Sequence, residues 1–579
     1  MLDSQLAIYV PVSAVFPEVT PNLETLRSLL QGISRTDALV WCARLNLAVC
    51  DREKKPFDRQ KLCMERFLST EEIRRVFDFA RKEESDEKRV MVFCRGQLLE
   101  LMRWVAICCE NLPGDGETFN DPEARRRYVQ AALICSEILN TSIWGSDVAG
   151  TASALWQGEA PDLSRKAAEA TATVDLYTCL GRGWTLFRDY LPRYYPSFDE
   201  EFRCSTGLSI EQYFACLAMV LADSARPAHN AGFSYTTVLQ RNPYNDVFQR
   251  YMSLQSQTPA ELRAGLGRDF PDDLASLEEV PPYNKRPLLD KPILRTDGGL
   301  AVILDPVFFG ESAHAGPLFH VRRPKKAKDR KPFEAFGQAF EDYVNDILGR
   351  MFPTSPMLAK RLLTGKEEIG LPLDACINDI GKVVLIETKS IWMQEEKVLT
   401  HSHEDYKAFL RKKYVEPRGV GQLTRAISTL SDPRRSKAND KLKDVRLVYP
   451  VMIVRDQLVP TPFFGRFMQS EFVQSLSPDE ILPSRRVKKG HLTVTPLVII
   501  DVETLEGLQS LVKYHGFLDL LDDYLEGGLD GITTLGNFIA RSQKYEQHFN
   551  PKLSIGAKAI EALKSTAREV FPKADLSQL

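Results

Sequence analysis

Apolar residues recur three or four positions apart through most of the first half of the chain. This spacing, broken at intervals by Pro, Gly and Asn, predicts amphipathic helices. The predicted helices cover residues 24–30, 36–50, 69–82, 89–109, 122–143, 164–190 and 210–225. No catalytic pattern is recognisable among them. We therefore predict that residues 1–285 form a mainly α-helical domain with a regulatory, sensing or assembly role.

After residue 285 the pattern changes to short β-branched runs that alternate with helical spacing. Residues 291–306 predict a β-hairpin that turns at Asp297-Gly298 and either docks beside the following domain or supplies an edge of its sheet. Residues 321–331, with seven basic side chains and one acidic one, follow as a linker. We assign residues 286–332 to this hairpin and basic linker.

The last part of the chain combines predicted helices with strands that are apolar on both faces. Helical spacing predicts an amphipathic helix at 333–351. Nearly continuous apolar runs at 445–454 and 493–502 predict strands covered on both sides, and helices are predicted at 503–514 and 517–525. Residues 333–579 are therefore predicted to form an α/β domain, in which helices flank a mixed sheet.

One stretch of this domain, residues 371–390, carries the main indication of chemistry. Its second half contains the short aliphatic strand Val383–Ile386, and the turn-forming residues Asn378–Gly381 precede that strand. A further apolar segment lies before the turn. Together these features predict a β-hairpin.

Charged side chains fall on one face of this predicted hairpin. Alternation along the second strand places Glu387 and Lys389 on the same side as Leu385. If the hairpin closes symmetrically about the bond between residues 379 and 380, Asp374 lies opposite Leu385, and Glu387 is its diagonal neighbour at about 7–8 Å. Two carboxylates at that spacing can reach one divalent cation, and hard oxygen ligands suit Mg²⁺ or Mn²⁺.

The resulting pattern is an Asp, twelve residues, and then Glu-x-Lys. It resembles the PD-(D/E)xK superfamily of metal-dependent nucleases, and the match covers residues 337–430. The resemblance implies a restriction-endonuclease-like fold in which Asp374 and Glu387 hold the metal and Lys389 assists the attacking water. The plain alternative is that these side chains form only a solvated strand face.

The predicted helix at 333–351 offers a third acid. Its run Gly337-x-x-Phe340-Glu341 resembles the first helix of many such nucleases, whose Glu faces the metal site. At about 100° per residue, Glu341 falls at the half-buried edge of the apolar stripe. An ordinary boundary glutamate is the alternative, and Glu334 is a substitute candidate two turns earlier.

A fifth site residue is suggested by Gln422, at the start of a helical run that ends near Leu430. In some relatives of this superfamily a Gln-Leu pair on the helix after the Glu-x-Lys strand joins the site. The RecB-like branch would place a Tyr where this chain has Ala426. Gln422 is therefore either a site residue or a plain residue of the helix N-terminus.

The net charge of −3 is unevenly distributed along the chain. Residues 321–446 contain 26 Lys or Arg and 18 Asp or Glu, a surplus of +8, so the remainder carries −11. This positive surplus falls on the predicted metal site, as binding to a phosphate backbone requires. The candidate backbone contacts are Arg322, Arg323, Lys325, Lys326, Lys412, Lys413, Arg434 and Arg435.

Other features bear on location and on further metal sites. Ten of the eleven cysteines precede residue 217 on apolar stretches without C-x-x-C spacing, which predicts buried reduced thiols in a cytoplasmic protein. His401 and His403 form a pair without a recognisable third ligand. No apolar run approaches the length of a membrane-spanning helix, so we expect no membrane association.

These observations favour a Mg²⁺- or Mn²⁺-dependent DNA endonuclease. A ribonuclease on the same scaffold and a catalytically inactive nucleic-acid-binding or scaffold protein are the alternatives. The helical domain offers a surface for a protein partner or for homo-oligomerisation. A large helical half joined to a nuclease module also resembles bacterial restriction and antiphage defence effectors, a likeness of architecture alone.

Overall fold

The computed structural model describes most of the chain, with short gaps. The described residues are 8–51, 55–83, 90–112, 121–144, 172–224, 232–234, 245–268, 270–271, 274, 276–280, 285–322, 330–353, 362–391, 403–432, 442, 444–455, 462–476, 486–527, 533–550 and 555–577. Helix dominates, and a mixed sheet occupies the C-terminal part. This division agrees with the predicted fold class at the level of a helical N-terminal part and an α/β C-terminal part.

Eleven described helices precede residue 225, numbered here in chain order. Helices α1 to α11 are Val12–Val15, Leu23–Leu30, Arg35–Cys50, Pro56–Phe67, Thr70–Lys82, Arg95–Cys108, Pro122–Trp144, Leu176–Thr185, Leu191–Tyr194, Phe198–Thr206 and Ile210–Ser224. Leu186–Tyr190 is a π-helical turn. Local chemistry sets several starts: Ser69 accepts from the Glu72 amide, and the Glu72 side chain accepts from the Ser69 amide, a reciprocal cap at the start of α5.

Most helix predictions in this half are confirmed. Helix α4 (Pro56–Phe67) was not predicted. The helix predicted from residue 89 begins instead at Arg95, because Val90–Met91 forms strand β2 beside β1 (Ile8–Tyr9). The predicted start at residue 164 lies outside the described residues.

Fourteen further described helices follow. Helices α12 to α25 are Asn245–Gln255, Pro259–Leu266, Arg286–Asp290, Pro306–His314, Gly316–Arg322, Lys331–Met351, Lys366–Ile369, His403–Leu410, Val420–Ser431, Pro462–Leu476, Val502–Leu511, Phe517–Gly527, Leu535–Arg541 and Ile555–Val570. Arg411–Val415 is a second π-helical turn. The predicted helices at 333–351, 503–514 and 517–525 correspond to α17, α22 and α23.

The predicted hairpin at 291–306 forms, and of its two predicted placements the one as an edge of the C-terminal sheet is wrong. Strands β5 (Ile293–Arg295) and β6 (Leu300–Ile303) pair antiparallel. They lie in a four-stranded sheet of order β3-β6-β5-β4, with β3 at Gly232–Ser234 and β4 at Ser256–Gln257. The hairpin therefore supplies no edge to the C-terminal sheet, because its hydrogen-bonding partners come from the helical half.

Within the described residues, the C-terminal sheet has seven strands and is mixed. Strands β7 to β13 are Leu362–Thr364, Ala375–Asp379, Lys382–Lys389, Leu447–Val454, Val487–Lys489, Leu492–Val494 and Val498–Asp501. Their order is β11-β12-β10-β9-β8-β7, and β13 also pairs with β10. Strand β10 runs parallel to β9, β12 and β13, whereas β8 is antiparallel to both β7 and β9. The predicted mixed sheet is present.

The register of the β8–β9 hairpin differs from the predicted one by two residues. Leu385 lies opposite Cys376 rather than Asp374, and the strands close at Asp379–Lys382. The turn is Ile380-Gly381, because Gly381 adopts a φ of 71° that favours glycine. A shift of two residues keeps every side chain on its face, whereas a shift of one would have reversed it.

Each face of the sheet carries a hydrophobic core of its own. Leu385 and its same-face neighbours pack with α20 (Val420–Ser431) and α21 (Pro462–Leu476). Ile386 and the opposite face pack with α17 (Lys331–Met351) in a cluster that also contains Trp184, Phe214 and other residues of α8, α11 and α12. Residues on both sides of the predicted boundary at 285 therefore share one core.

Candidate metal and nucleic-acid site

Two carboxylates meet where strand β8 begins and strand β9 ends. Asp374 directly precedes β8, and continuing the register one pair beyond Ala375–Ile386 sets Asp374 opposite Glu387. The Thr388 amide donates a hydrogen bond to Asp374 Oδ2 at 2.7 Å. Asp374 is 8% exposed and Glu387 is 1% exposed. The structure therefore brings the two predicted acids together, as direct neighbours rather than diagonal ones.

Lys389 and Gln422 join this pair from β9 and from the start of α20. The Lys389 ammonium forms an ion pair with Glu387 Oε1 and donates to Gln422 Oε1 at 3.3 Å. The side-chain nitrogen of Gln422, Nε2, donates to the carbonyl of Pro372 at 3.2 Å. Pro372 lies two residues before Asp374. Gln422 thus connects the ammonium to the segment that carries the first acid.

Backbone geometry before α20 fixes the position of Gln422. The Gly419 amide donates to Gln422 Oε1 at 3.1 Å, and Gly419 has a φ of 69°. A β-carbon at this position would collide with the Tyr414 carbonyl oxygen. Only glycine tolerates both the positive φ and the close approach of the Tyr414 carbonyl. Gly419 therefore allows the backbone conformation that places Gln422 beside the end of β9.

Glu341 approaches the acids from α17, the helix on the opposite face of the sheet. Its half-buried position agrees with the predicted edge of the apolar stripe. A β-carbon at Gly337, one turn earlier, would lie 3.3 Å from Ser390 Oγ, so the helix passes close to the end of β9. Burial, followed by the negative charge of Asp374, raises the pKa of Glu341 to about 7.

The other two carboxyl groups are also harder to ionise than usual. Burial raises the pKa of Glu387 to about 8, despite the neighbouring Lys389 ammonium. Burial likewise raises the pKa of Asp374, and the Thr388 amide and Lys389 only partly oppose it. Burial and mutual repulsion both disfavour the ionised form of such carboxyl groups. A divalent cation opposes both effects and favours the ionised form.

One atom of the site has no partner. Glu387 Oε2 is buried and makes no hydrogen bond within the described residues. An unsatisfied buried carboxylate oxygen is costly, and a hard oxygen donor of this kind suits Mg²⁺ or Mn²⁺. Within the described chain, no three His, Cys, Asp or Glu side chains are already gathered around one ion position. The residue types therefore fit a divalent cation, and Lys389 is the cation that Glu387 now pairs with.

The predicted backbone contacts are only partly described. Lys412 and Lys413 are exposed on the π-helical turn that precedes α20. Arg322 ends α16 and lies over the Phe333 ring at 5.1 Å. The other predicted contacts lie outside the described residues: Arg323, Lys325, Lys326, Arg434 and Arg435. His401 lies outside them as well.

Sequence reasoning missed one cation near the acids. Lys366 begins α18, and its charge lowers the pKa of both Glu341 and Asp374 against the effect of burial. The tripeptide Thr364-Gly365-Lys366 drew attention in the sequence, but it lacks the earlier glycine of a phosphate-binding loop. Recognising Leu362–Thr364 as a strand paired with β8 would have placed this lysine beside Asp374.

Comparisons with protein-family models, with curated proteins and with solved structures gave no match to this chain. The likeness to metal-dependent nucleases therefore rests on the motif and on the geometry of the site.

Among the described helices, no single one is long and apolar enough to cross a membrane. One bent pair, Phe198–Thr206 with Ile210–Ser224 at 64°, reaches that length and composition when taken together.

Proposed function

We propose that this chain is a divalent-metal-dependent nuclease that hydrolyses phosphodiester bonds, with DNA as the favoured substrate. The observation that carries the proposal is the buried arrangement of Asp374, Glu387 and Lys389, in which Glu387 Oε2 has no partner. A solvated strand face, the plain alternative, would leave these side chains exposed. At 1% exposure Glu387 does not fit that alternative.

Each residue of the site has a separate task in this proposal. Asp374 and Glu387 would hold the cation, with Glu341 as the third acid. A bound Mg²⁺ or Mn²⁺ supplies Lewis acidity and makes its water a stronger nucleophile. Lys389, held by Gln422, offsets negative charge that develops on the phosphoryl group. Gln422 is a positioning residue, because it acts through Lys389.

The charge distribution supports a nucleic-acid substrate. The exposed Lys412 and Lys413 lie on the turn that leads into α20, the helix that carries Gln422. The segment 321–446, which contains every site residue, has a surplus of eight positive charges. Such a surplus raises the local concentration of a phosphate backbone and makes binding sensitive to salt.

A cleavage assay tests the proposal directly. The protein is incubated with labelled DNA and labelled RNA in one tube, with Mg²⁺, with Mn²⁺ or with EDTA. We expect metal-dependent cleavage, DNA cut faster than RNA, and no cleavage in EDTA. Lys389→Met, which keeps the length of the stem and removes the charge, should reduce the rate by about 100-fold.

Three results separate the alternatives. Faster cleavage of RNA would make the protein a ribonuclease on the same site. Full activity in EDTA or in Lys389→Met would exclude the proposed site. Binding of both nucleic acids without any cleavage would indicate a protein that uses this fold for recognition only.

The raised pKa values of the acids predict a pH dependence of metal binding. The folded protein keeps protons on Glu387, whose pKa is about 8, and on Glu341, whose pKa is about 7. The unfolded chain releases those protons near pH 4.5. The free energy of unfolding of the metal-free protein should therefore fall as the pH rises from about 4.5 to about 8. Metal binds the ionised carboxylates, so its apparent affinity should rise by roughly tenfold per pH unit for each carboxyl group that has to release a proton.

Thermal unfolding with and without Mn²⁺ measures this dependence. The rise in Tm on adding Mn²⁺ should be larger at about pH 8 than at about pH 6. The control Asp379→Asn, which removes a carboxylate at the turn end of β8, should leave this difference in Tm unchanged. A metal-induced rise that is equal at both pH values would show that these carboxyl groups do not bind the ion.

A further inference from the structure

Lys366 is placed beside the first acid by the backbone of β7. Thr364 pairs with Ala375, and the next residue, Gly365, donates its amide to the Asp374 carbonyl at 2.8 Å. Gly365 has a φ of 77°, which turns the chain out of the strand and into α18. Lys366 therefore follows directly after the residue that lies opposite Asp374.

The two lysines of the site differ in exposure and in partners. The Lys389 side chain is 11% exposed and is engaged by Glu387 and Gln422. Lys366 is exposed, and its ammonium group makes neither a hydrogen bond nor an ion pair with the described residues. Its charge acts on Glu341 and Asp374, and for Glu341 its effect exceeds that of Lys389. Lys366 is therefore the cation at the solvent side of the acids.

The charges of the site with metal and substrate bound indicate a function for Lys366. Three ionised carboxylates are balanced by one divalent cation together with the Lys389 ammonium. A phosphodiester then brings one further negative charge, which leaves the site with a net charge of about −1. An ammonium group on a flexible four-carbon stem, with three donors, can compensate this charge from the solvent side.

We infer that Lys366 binds the phosphate of the substrate, donating to a non-bridging oxygen of the phosphodiester group next to the acids. This inference rests on the proposed nuclease function and assigns Lys366 to substrate binding rather than to activation of water. It follows that Lys366 contributes mainly to KM, whereas Lys389 contributes to kcat. Removing Lys366 should weaken binding of the phosphate without weakening binding of the metal, because its positive charge attracts the phosphate and repels the metal.

The test compares Lys366→Gln, Lys366→Arg and the control Lys513→Gln. Lys513 is exposed on the turn after α22 and carries the same charge. Binding of a short fluorescent DNA is measured in Ca²⁺ over a range of salt concentrations, and Mn²⁺ affinity is measured without DNA. Cleavage kinetics in Mg²⁺ then separate kcat from KM.

For Lys366→Gln we expect DNA binding to weaken by about five- to tenfold and the salt dependence to fall by about one phosphate contact. Mn²⁺ affinity should be unchanged or tighter, KM should rise, and kcat should stay within about threefold. Lys366→Arg should recover most of the DNA affinity, and Lys513→Gln should behave as the wild type.

Three outcomes would overturn the inference, and they can be told apart. If the wild type cleaves DNA and Lys366→Gln has the same KM and the same salt dependence, Lys366 does not bind the phosphate, and the nuclease function stands. If the wild type neither binds nor cleaves DNA or RNA while Mn²⁺ still binds, the proposed function fails and the inference fails with it. Weaker Mn²⁺ binding in Lys366→Gln would also contradict it, because loss of a cation cannot weaken a neighbouring metal site by charge.

Discussion

Replacing Glu387 with glutamine should lower the rate of phosphodiester cleavage by at least about 100-fold. The carboxylate is 1% exposed, and its Oε2 has no partner within the described residues. Glutamine keeps the size of the side chain but removes the negative charge that a divalent cation requires. The same variant should lose the Mn²⁺-induced rise in Tm. Cleavage rates and thermal unfolding measure the two effects on one preparation.

The expected loss of activity is not a loss of stability. Burial disfavours the ionised form of Glu387, so a neutral amide at this position should leave the metal-free Tm equal to that of the wild type or higher. Asp379→Asn is the matched control, since it removes the same charge from the turn end of the neighbouring strand β8, about 16 Å from the Asp374–Glu387 pair. Cleavage by Glu387→Gln at more than a tenth of the wild-type rate would contradict the assignment of the metal site.

The second large effect concerns a buried ion pair that is not part of the candidate site. Arg182 of α8 donates to both oxygens of Glu506 of α22, each at 2.7 Å, and Tyr343 of α17 donates to the same carboxylate. Glu506 is fully buried. Arg182→Met would leave this carboxylate buried without its cation, so we expect a loss of about 3–5 kcal/mol in the free energy of unfolding.

Denaturant unfolding of three variants measures this cost. The double variant Arg182→Met with Glu506→Gln should recover part of the loss, because the amide still accepts from Tyr343 and no buried charge remains. Arg203→Met, which breaks the exposed pair with Asp199, should cost less than about 1 kcal/mol. A cost for Arg182→Met no larger than that of Arg203→Met would contradict the role assigned to the buried pair.

The same ion pair bears on the site through α17. Tyr343 lies two residues after Glu341 on this helix, so loosening the contact with Glu506 affects the helix that carries the third acid. Trp184 and Phe214 belong to the same core as Ile386 of the sheet. We therefore expect α8, α11 and the sheet to unfold in one transition. Two separate transitions would show that the helices before residue 225 form an independent domain.

Local patterns determined much of the candidate site. Alternation along β9 placed Glu387 and Lys389 on one face, because the period of a strand is two residues whatever its neighbours are. Helical spacing placed Glu341 at a half-buried edge of its helix for the same kind of reason. These predictions depend only on backbone geometry within one element, and the structure agrees with them.

The hairpin register was wrong because two turns were compatible with the same residues. The predicted turn Asp379-Ile380 and the observed turn Ile380-Gly381 lie within the same turn-forming run, residues 378–381, and the pattern alone does not choose between them. In the structure the turn is formed by Ile380 and Gly381. The positive φ of Gly381 closes this two-residue turn, and Ile380 is almost fully exposed. The error was an even number of residues, so the predicted face of Asp374 was retained.

Long-range placement was beyond the reach of the pattern. Lys366 lies near Asp374 only because β7 pairs with β8, and a strand of three residues carries little periodic signal. The predicted hairpin at 291–306 was real, but its partner strands β3 and β4 could not be identified from its own residues. Which strands pair with each other depends on interactions throughout the chain. Periodicity within one element predicts only which of its sides is buried.

By itself, the amino-acid sequence determined the elements of this protein, the buried side of most of them, and the residue types that converge on one strand end. The tertiary structure alone decided that Asp374 faces Glu387 directly, that Gln422 holds Lys389, and that helices before residue 225 share a core with the sheet. The physical reason is that secondary structure follows from interactions between near neighbours. The geometry of a site depends on contacts between residues that are far apart in the chain.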